Sequence, residues 1–308
     1  MSTSNSAVGA IFIALLGGAI KTSTPYLFVS LGETLTEKAG RVNLGLEGTL
    51  MMGAVTGFGA SLFSGNPFVG VLAAGGAGLL MGALHAWLCS FRRVSSIAVG
   101  IALMIFGTGL AFYLGKPLIQ PQAPHLPAID LGFWTTNPAL KEALQINVLF
   151  IAGVVLAPLL AWFLASTRWG LILRLCGENV EAARAKGIQP ERVRLLATAA
   201  GGFLAGIGGS FLSLYYPGTW TEGLSTGQGL LAVALVIFSR WNPLLCLVTS
   251  LLFGALGSLG AALQAAGLSQ GFYLFGTVPA LMALGLMILT SGKKRGVSGR
   301  PAELSVHT

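Results

Sequence analysis

Ten runs of apolar residues follow one another along this chain, near 7–20, 24–35, 44–63, 67–91, 94–114, 146–166, 195–214, 225–238, 243–263 and 272–290. A membrane-spanning helix needs roughly 20 apolar residues. The runs leave room for about eight to ten spans and for little else. Charge agrees with this. Asp, Glu, Lys and Arg make up 9% of the 308 residues, against about 25% in a soluble domain. Mean hydropathy is +0.79. The expected fold is an all-α, polytopic transmembrane bundle in contact with membrane lipid, one integral-membrane domain over residues 1–308.

Two runs are short, 24–35 and 225–238, and Pro25, Gly227 and Gly229 interrupt them. Short, interrupted segments point to discontinuous helices beside a solute path. Residues 7–20 and 24–35 are either two short spans or one broken one. Glycine is plentiful, with 44 residues. The pairs Gly53/Gly57, Gly78/Gly82 and Gly202/Gly206 have the spacing of close helix contacts, or simply reflect that abundance.

The basic residues are unevenly spread. Loop 167–194 carries Arg168, Arg174, Arg184, Lys186, Arg192 and Arg194. Arg92 and Arg93, Arg240, and Lys293, Lys294 and Arg295 fall at other turns or in the tail. Loop 115–145 has Lys116 and Lys141 with five prolines. The positive-inside rule puts the first group, including loop 167–194 and tail 291–308, in the cytoplasm and loop 115–145 outside. It also accounts for the net charge of +8, so no nucleic-acid partner is expected. The start, "MSTSNSAVGAIF", lacks a basic n-region, and no cleaved signal peptide is expected. Cys89, Cys176 and Cys246 stand singly without metal-ligand spacing. Neither a metal nor a cofactor is expected.

Within loop 167–194, "NVEAARAKGI" reads as a short amphipathic helix over 178–187. Asn179 is its N-cap, Glu181 lies in the first turn and Gly187 is the stop. Such a helix is marginal alone in water. It either docks onto something or is a solvated connector.

Here the chain resembles a known family. "GENVEAARAKGI" resembles the coupling motif of ABC-importer permeases, a cytoplasmic helix seated in a groove of the ATPase subunit. "TPYLFVSLGETLTEKAGRVNLGLEGTLMMGA", "LAVALVIFSRWNP" and "LLFGALGSL" resemble segments of the branched-chain amino acid, ribose and nucleoside permeases, most closely the nucleoside and simple-sugar type. The resemblance runs from about residue 24 to 290. It implies ATPase contact by Glu178, Asn179, Val180, Glu181, Ala182, Ala183, Lys186 and Gly187, mainly through Val180, Ala182, Ala183 and Lys186. It implies four partners: an ABC ATPase subunit, a second permease subunit in a heterodimer, a periplasmic or lipoprotein binding protein, and a small polar solute. Nucleoside is the first expectation and simple sugar the next; riboflavin-like molecules and amino acids belong to the same family. Ribose-type members have Asp where this chain has Asn43, which counts against ribose. The implied location is the bacterial inner membrane.

Asn43 and Glu47 are four residues apart at the entrance to a span, and on a helix they would share one face. A carboxylate inside a span costs about 2.5–3.5 kcal/mol on insertion scales, so it marks a pathway or an internal partner. Two readings stand together. Glu47 accepts hydrogen bonds from amides of 32–43, or pairs with Lys38 or Arg41. Alternatively, Asn43 and Glu47 line the solute route. Glu33 and Glu37 read as surface ion pairs with Lys38 and Arg41. His85 reads as hydrogen-bonded in the core. Tyr215, Tyr216 and Trp220 read as interface aromatics, with Trp220 and Glu222 the alternative contacts at the outer mouth. No GxxxxGK[ST] pattern occurs, so no catalytic residue is assigned and ATP hydrolysis is expected on a partner. A different class, a secondary transporter or channel, would place ionisable residues deep in several spans. An embedded enzyme would cluster its histidines, which here are scattered.

Overall fold

The computed structural model describes residues 2–91, 94–265, 275–291 and 299–305. Arg92, Arg93, Lys293, Lys294 and Arg295 lie outside the described residues. The helices in order are α1 (Ser2–Lys38), α2 (Leu46–Ser64), α3 (Pro67–Leu88), α4 (Ser96–Gly115), α5 (Pro138–Ala143), α6 (Val148–Ser166), α7 (Arg168–Glu178), α8 (Val180–Ala185), α9 (Pro190–Leu214), α10 (Gln228–Phe238), α11 (Pro243–Ala265) and α12 (Val278–Ser291). Strands β1 (Ala128–Asp130) and β2 (Gln145–Asn147) pair antiparallel, Ile129 opposite Ile146. This ribbon is a small departure from the expected all-α chain.

Local sequence chemistry sets most of the helix starts. Asn66, Asn147, Thr167 and Asn179 each accept a backbone N–H of the following turn with the side chain. Pro67 and Pro190 occupy first positions, where a missing N–H costs nothing. Pro25 does not break the first segment. Residues 7–20 and 24–35 belong to one continuous helix, α1. Around Pro25, Thr22 Oγ1 donates to Gly18 O and to Gly254 O, and Thr24 Oγ1 donates to Ile20 O. Hydroxyls and a neighbouring helix commonly stabilise a proline inside a membrane helix in this way.

α9 is the central helix. Its apolar stretch is 67% buried, whereas those of α4, α6 and α11 are 22%, 28% and 33% buried. α1, α2 and α3 surround it. The expected glycine contacts are present. A Cβ on Gly78 would lie 2.1 Å from Gly202 O, and one on Gly53 would lie 2.4 Å from Gly206 O. Backbone therefore meets backbone at both crossings, and small residues are required there. Among the described residues five helices are long and apolar enough to cross a membrane, and α10 is a shorter apolar helix. The protein is a multi-pass membrane protein.

The two ends differ. Lys38, Arg174, Arg240 and Trp241 line one cleft, and Arg41 and Arg194 line another beside it. This is the basic end. At the opposite end residues 116–147 form a cover, where Ser61 Oγ donates to Pro124 O at 2.9 Å and Leu126 N to Leu214 O at 2.9 Å.

Candidate functional site: a carboxylate-clamped helix junction

α10 has 11 residues, about 16 Å at 1.5 Å per residue, half the roughly 30 Å hydrocarbon core. It begins inside the molecule. Gly227 caps it in the left-handed region (φ 83°) without a side-chain cap of its own. The cap comes from another helix. Glu47, in the first turn of α2, accepts Gly227 N at 2.9 Å, Gly229 N at 2.7 Å and the Ser225 hydroxyl. The approach is close enough that a Cβ on Gly229 would lie 2.6 Å from Glu47 Cα. Two helix N-termini thus face one carboxylate, and both partial positive charges favour it. Charge-assisted bonds of this kind offset the cost of placing the carboxylate in a span.

The junction lies deep. Tyr26 packs with Leu46 and Leu50 of α2 and Val233 of α10. Tyr26 is twelve residues from Lys38, so about 18 Å from the basic end along α1. α2 runs from there toward the cover, and α10 runs back toward the basic end. A non-helical link, residues 39–45, climbs to the junction against α1.

That link changes the expected roles. Asn43 precedes α2 and does not share a helix face with Glu47. Its N–H donates to Glu33 Oε1 at 2.7 Å, and its Oδ1 accepts Gly45 N at 2.9 Å. It is 1% exposed. Glu47 takes its amides from 225–229 rather than from 32–43, and Lys38 and Arg41 bond elsewhere. Glu33 and Glu37 are buried, not surface ion pairs. Glu37 Oε2 accepts the Trp241 indole N–H. Lys38 Nζ donates to Gly299 O, and Arg41 donates to Ala86 O and to Glu191. His85 is buried as expected, 3.3 Å from Ser96 O.

Trp220 and Glu222 lie away from the groups that hold Glu47. Trp220 is 1% exposed, so it is not an interface-belt residue. Its indole covers Gly115 at the end of α4, where a Cβ would lie 2.1 Å from Nε1. Glu222 is exposed.

At the basic end the short helix is observed as Val180–Ala185. Asn179 Oδ1 accepts Ala182 N at 2.9 Å, Glu181 sits in the first turn, and Gly187 turns left-handed at φ 75°. Glu178 belongs to α7 instead. Ala183, expected on the docking face, is fully buried within the chain. Glu181 and Lys186 are exposed, and Val180 and Ala182 are half-buried. At the start of α9 a cleft of about 450 Å³ is lined by Arg41, Glu191, Arg194 and the α3–α4 turn. Burial lowers the Arg41 guanidinium from its ordinary value, and Glu191 opposes that. Sequence alone marks Gly229 only as a helix interruption and does not mark Ser225, Trp241, or the reach of Glu191 to Arg41 and of Arg194 to Glu303. Their roles depend on long-range partners that no local pattern encodes.

Among known proteins, the family described as branched-chain amino acid transport system, permease component, matches residues 13–291. This chain belongs to that family. The permease is 32% identical over 260 residues to the provisionally named glucose ABC transporter permease protein TsgC13 of Haloferax volcanii, covering 83% of this chain and 79% of that one. It is 32% identical over 251 residues to the nucleoside ABC transporter permease protein NupC of Lactococcus lactis, covering 77% and 78%. It is 30% identical over 251 residues to the guanosine ABC transporter permease protein NupQ of Bacillus subtilis, covering 77% and 78%.

Proposed function

We propose that this permease is a membrane subunit of an ABC importer in a bacterial inner membrane, passing a small polar solute, and that the solute is a nucleoside. The observation that carries the reading is the similarity to nucleoside permeases at 30–32% identity over 77% of this chain. The equal identity to a glucose permease relative supports simple sugar as the second reading. Residues 1–308 act as one integral-membrane unit.

The geometry supplies a mechanism for such a subunit. A nucleoside needs hydrogen-bond donors and acceptors partway across the bilayer. The Asn43–Glu47–Ser225 junction puts carboxylate, hydroxyl and amide groups at that depth. Glu222, exposed toward the opposite end, forms part of the outer approach, and Trp220, buried against Gly115 of α4, supports it. A binding protein, periplasmic or lipid-anchored, delivers solute there. A second permease subunit completes the channel. An ABC ATPase meets the basic end through α8, on Val180, Glu181, Ala182 and Lys186, with Gly187 shaping the exit from the helix. Hydrolysis takes place on that subunit. The ATPase can bias the cavity only by contacting its two states differently, and α8 is where the contact differs.

The test is competitive uptake of radiolabelled uridine by cells expressing the permease with its neighbouring transport genes. Unlabelled nucleosides are expected to abolish uptake while glucose and leucine leave it unchanged. Competition by glucose alone would select the sugar reading, and competition by leucine would contradict both.

A further inference from the structure

The segment Gly299–Ser305 crosses the basic end and touches α1, α7, α9 and the turn after α10. Lys38 Nζ donates to Gly299 O at 3.0 Å. Arg194, at the start of α9, donates through Nη2 to Glu303 Oε2 at 3.2 Å. The same guanidinium donates to Ala39 O and Cys176 O, and it is 5% exposed. Glu178, the last residue of α7 before α8, accepts Ala302 N at 3.4 Å. Leu304 is buried against Val236 of α10 and Trp241 of the turn after it.

That turn is unusual. Arg240 and Trp241 are consecutive non-glycine residues at φ 51° and 55°, a region L side chains rarely adopt. Such backbone persists only where its surroundings hold it. Here Glu37 accepts the Trp241 indole N–H and Leu304 packs beside it. α10 is therefore held at both ends, by Glu47 at its start and by the Glu37–Trp241–Leu304 contact at its finish. A cavity of about 350 Å³ lies beside α10, and Arg300 and Leu304 form part of its wall.

We propose that Gly299–Ser305 is a mechanical strap joining α7–α8 to α10, with Glu303 and Leu304 as its positioning residues. Glu303 fastens the strap to Arg194 of α9, and the neighbouring Ala302 N–H fastens it to Glu178 at the end of α7. Leu304 fastens it to the α10–α11 turn. A displacement of α8 then pulls on the lower end of α10 and on the cavity beside it. The use of this strap in transport rests on the function proposed above; the link itself is a property of this chain.

The test is amide hydrogen exchange on the full chain purified in detergent, comparing wild type with Glu303→Gln and Leu304→Ala. Each substitution lies at one end of the strap and is read at the other. Glu303→Gln is expected to speed exchange in α10 about tenfold, and Leu304→Ala to do the same in α8, with α3 unchanged. If each variant loosens only its own contact, the strap is overturned. If both variants, and the milder Leu304→Val, loosen α3 as well, the segment merely supports folding and the proposal is again overturned. In the complex with its ATPase, Glu303→Gln should lower uridine uptake per ATP about tenfold, as a lost coupling energy does, with ATP hydrolysis retained. Absence of wild-type uridine uptake would count against the proposed function and leave the exchange result standing.

Discussion

Glu47 shows what a single residue does in this protein. Its two oxygens hold two amides and a hydroxyl of residues 225–229, 178 to 182 residues further along the chain, where α10 begins. Glu47→Ala orphans those donors, at roughly 1–3 kcal/mol for each buried group left unpaired. Glu47→Gln keeps one acceptor oxygen but replaces the other with an NH2 donor, so one amide is left unpaired, for roughly 1–3 kcal/mol in all. Thermal unfolding in detergent should therefore rank wild type, Gln and Ala in that order, and uptake should follow. Equal melting temperatures for all three would remove the clamp from the account. The sequence announced that Glu47 is costly, because a carboxylate within a span needs a partner. It did not announce the partner. Ser225, Gly227 and Gly229 form no motif with Glu47, and only the fold places them together. For the same reason Glu33 and Glu37 read as surface residues. Lys38 and Arg41 are adjacent in sequence, but each of them reaches elsewhere, and Trp241 fills the place they would have taken.

At the scale of elements, close backbone crossings and helix ends make sharper predictions than composition does. Gly78 and Gly76 lie on one helix, yet a Cβ on Gly78 meets Gly202 O at 2.1 Å and one on Gly76 meets nothing within 4 Å. Gly78→Ala should force α3 from α9 at about 1–3 kcal/mol. Gly76→Ala should be neutral or stabilising by up to about 1 kcal/mol. Melting curves of the pair decide this, and similar losses in both would contradict the packing. α8 was legible in its capping residues, since Asn179 and Gly187 do what their chemistry dictates. Its faces were not legible, because six residues carry too little periodicity to tell an inner face from an outer one. Ala183→Trp is consequently expected to destabilise the permease itself, where an exposed docking face would have tolerated it. Lys186→Glu is expected to leave the melting temperature unchanged and weaken ATPase binding, read by pull-down of the ATPase subunit. Gly187→Val should cost about 1–2 kcal/mol through its left-handed backbone alone, since no atom lies within 4 Å of an added Cβ.

At the scale of the whole molecule, the apolar runs foretold a helical membrane protein because the bilayer accepts few other structures. Their lengths did not foretell how many would cross on their own. α1 absorbs two runs into one helix because Thr22, Thr24 and α11 support the turn at Pro25. α10 stays short because its start is held at mid-depth by Glu47. The grouping of basic residues did foretell an end. Lys38, Arg41, Arg174, Arg194, Arg240 and the strap gather there, while residues 116–147 cover the other. A cysteine replacing Lys186 should react with an impermeant maleimide only in inverted vesicles, and one replacing Trp134 only in intact cells; the reverse pattern would invert the topology and remove α8 from any cytoplasmic partner. The central claim is that ATP bound by a partner at the basic end drives solute through the α2–α10 junction. It is tested most directly by labelled uridine uptake into proteoliposomes holding the permease, its partner subunits and the binding protein. The account predicts uptake that requires ATP and magnesium on the α8 side and persists when ionophores collapse proton and sodium gradients. Uptake that runs on an imposed ion gradient without ATP, and stops with the ionophore, would contradict it.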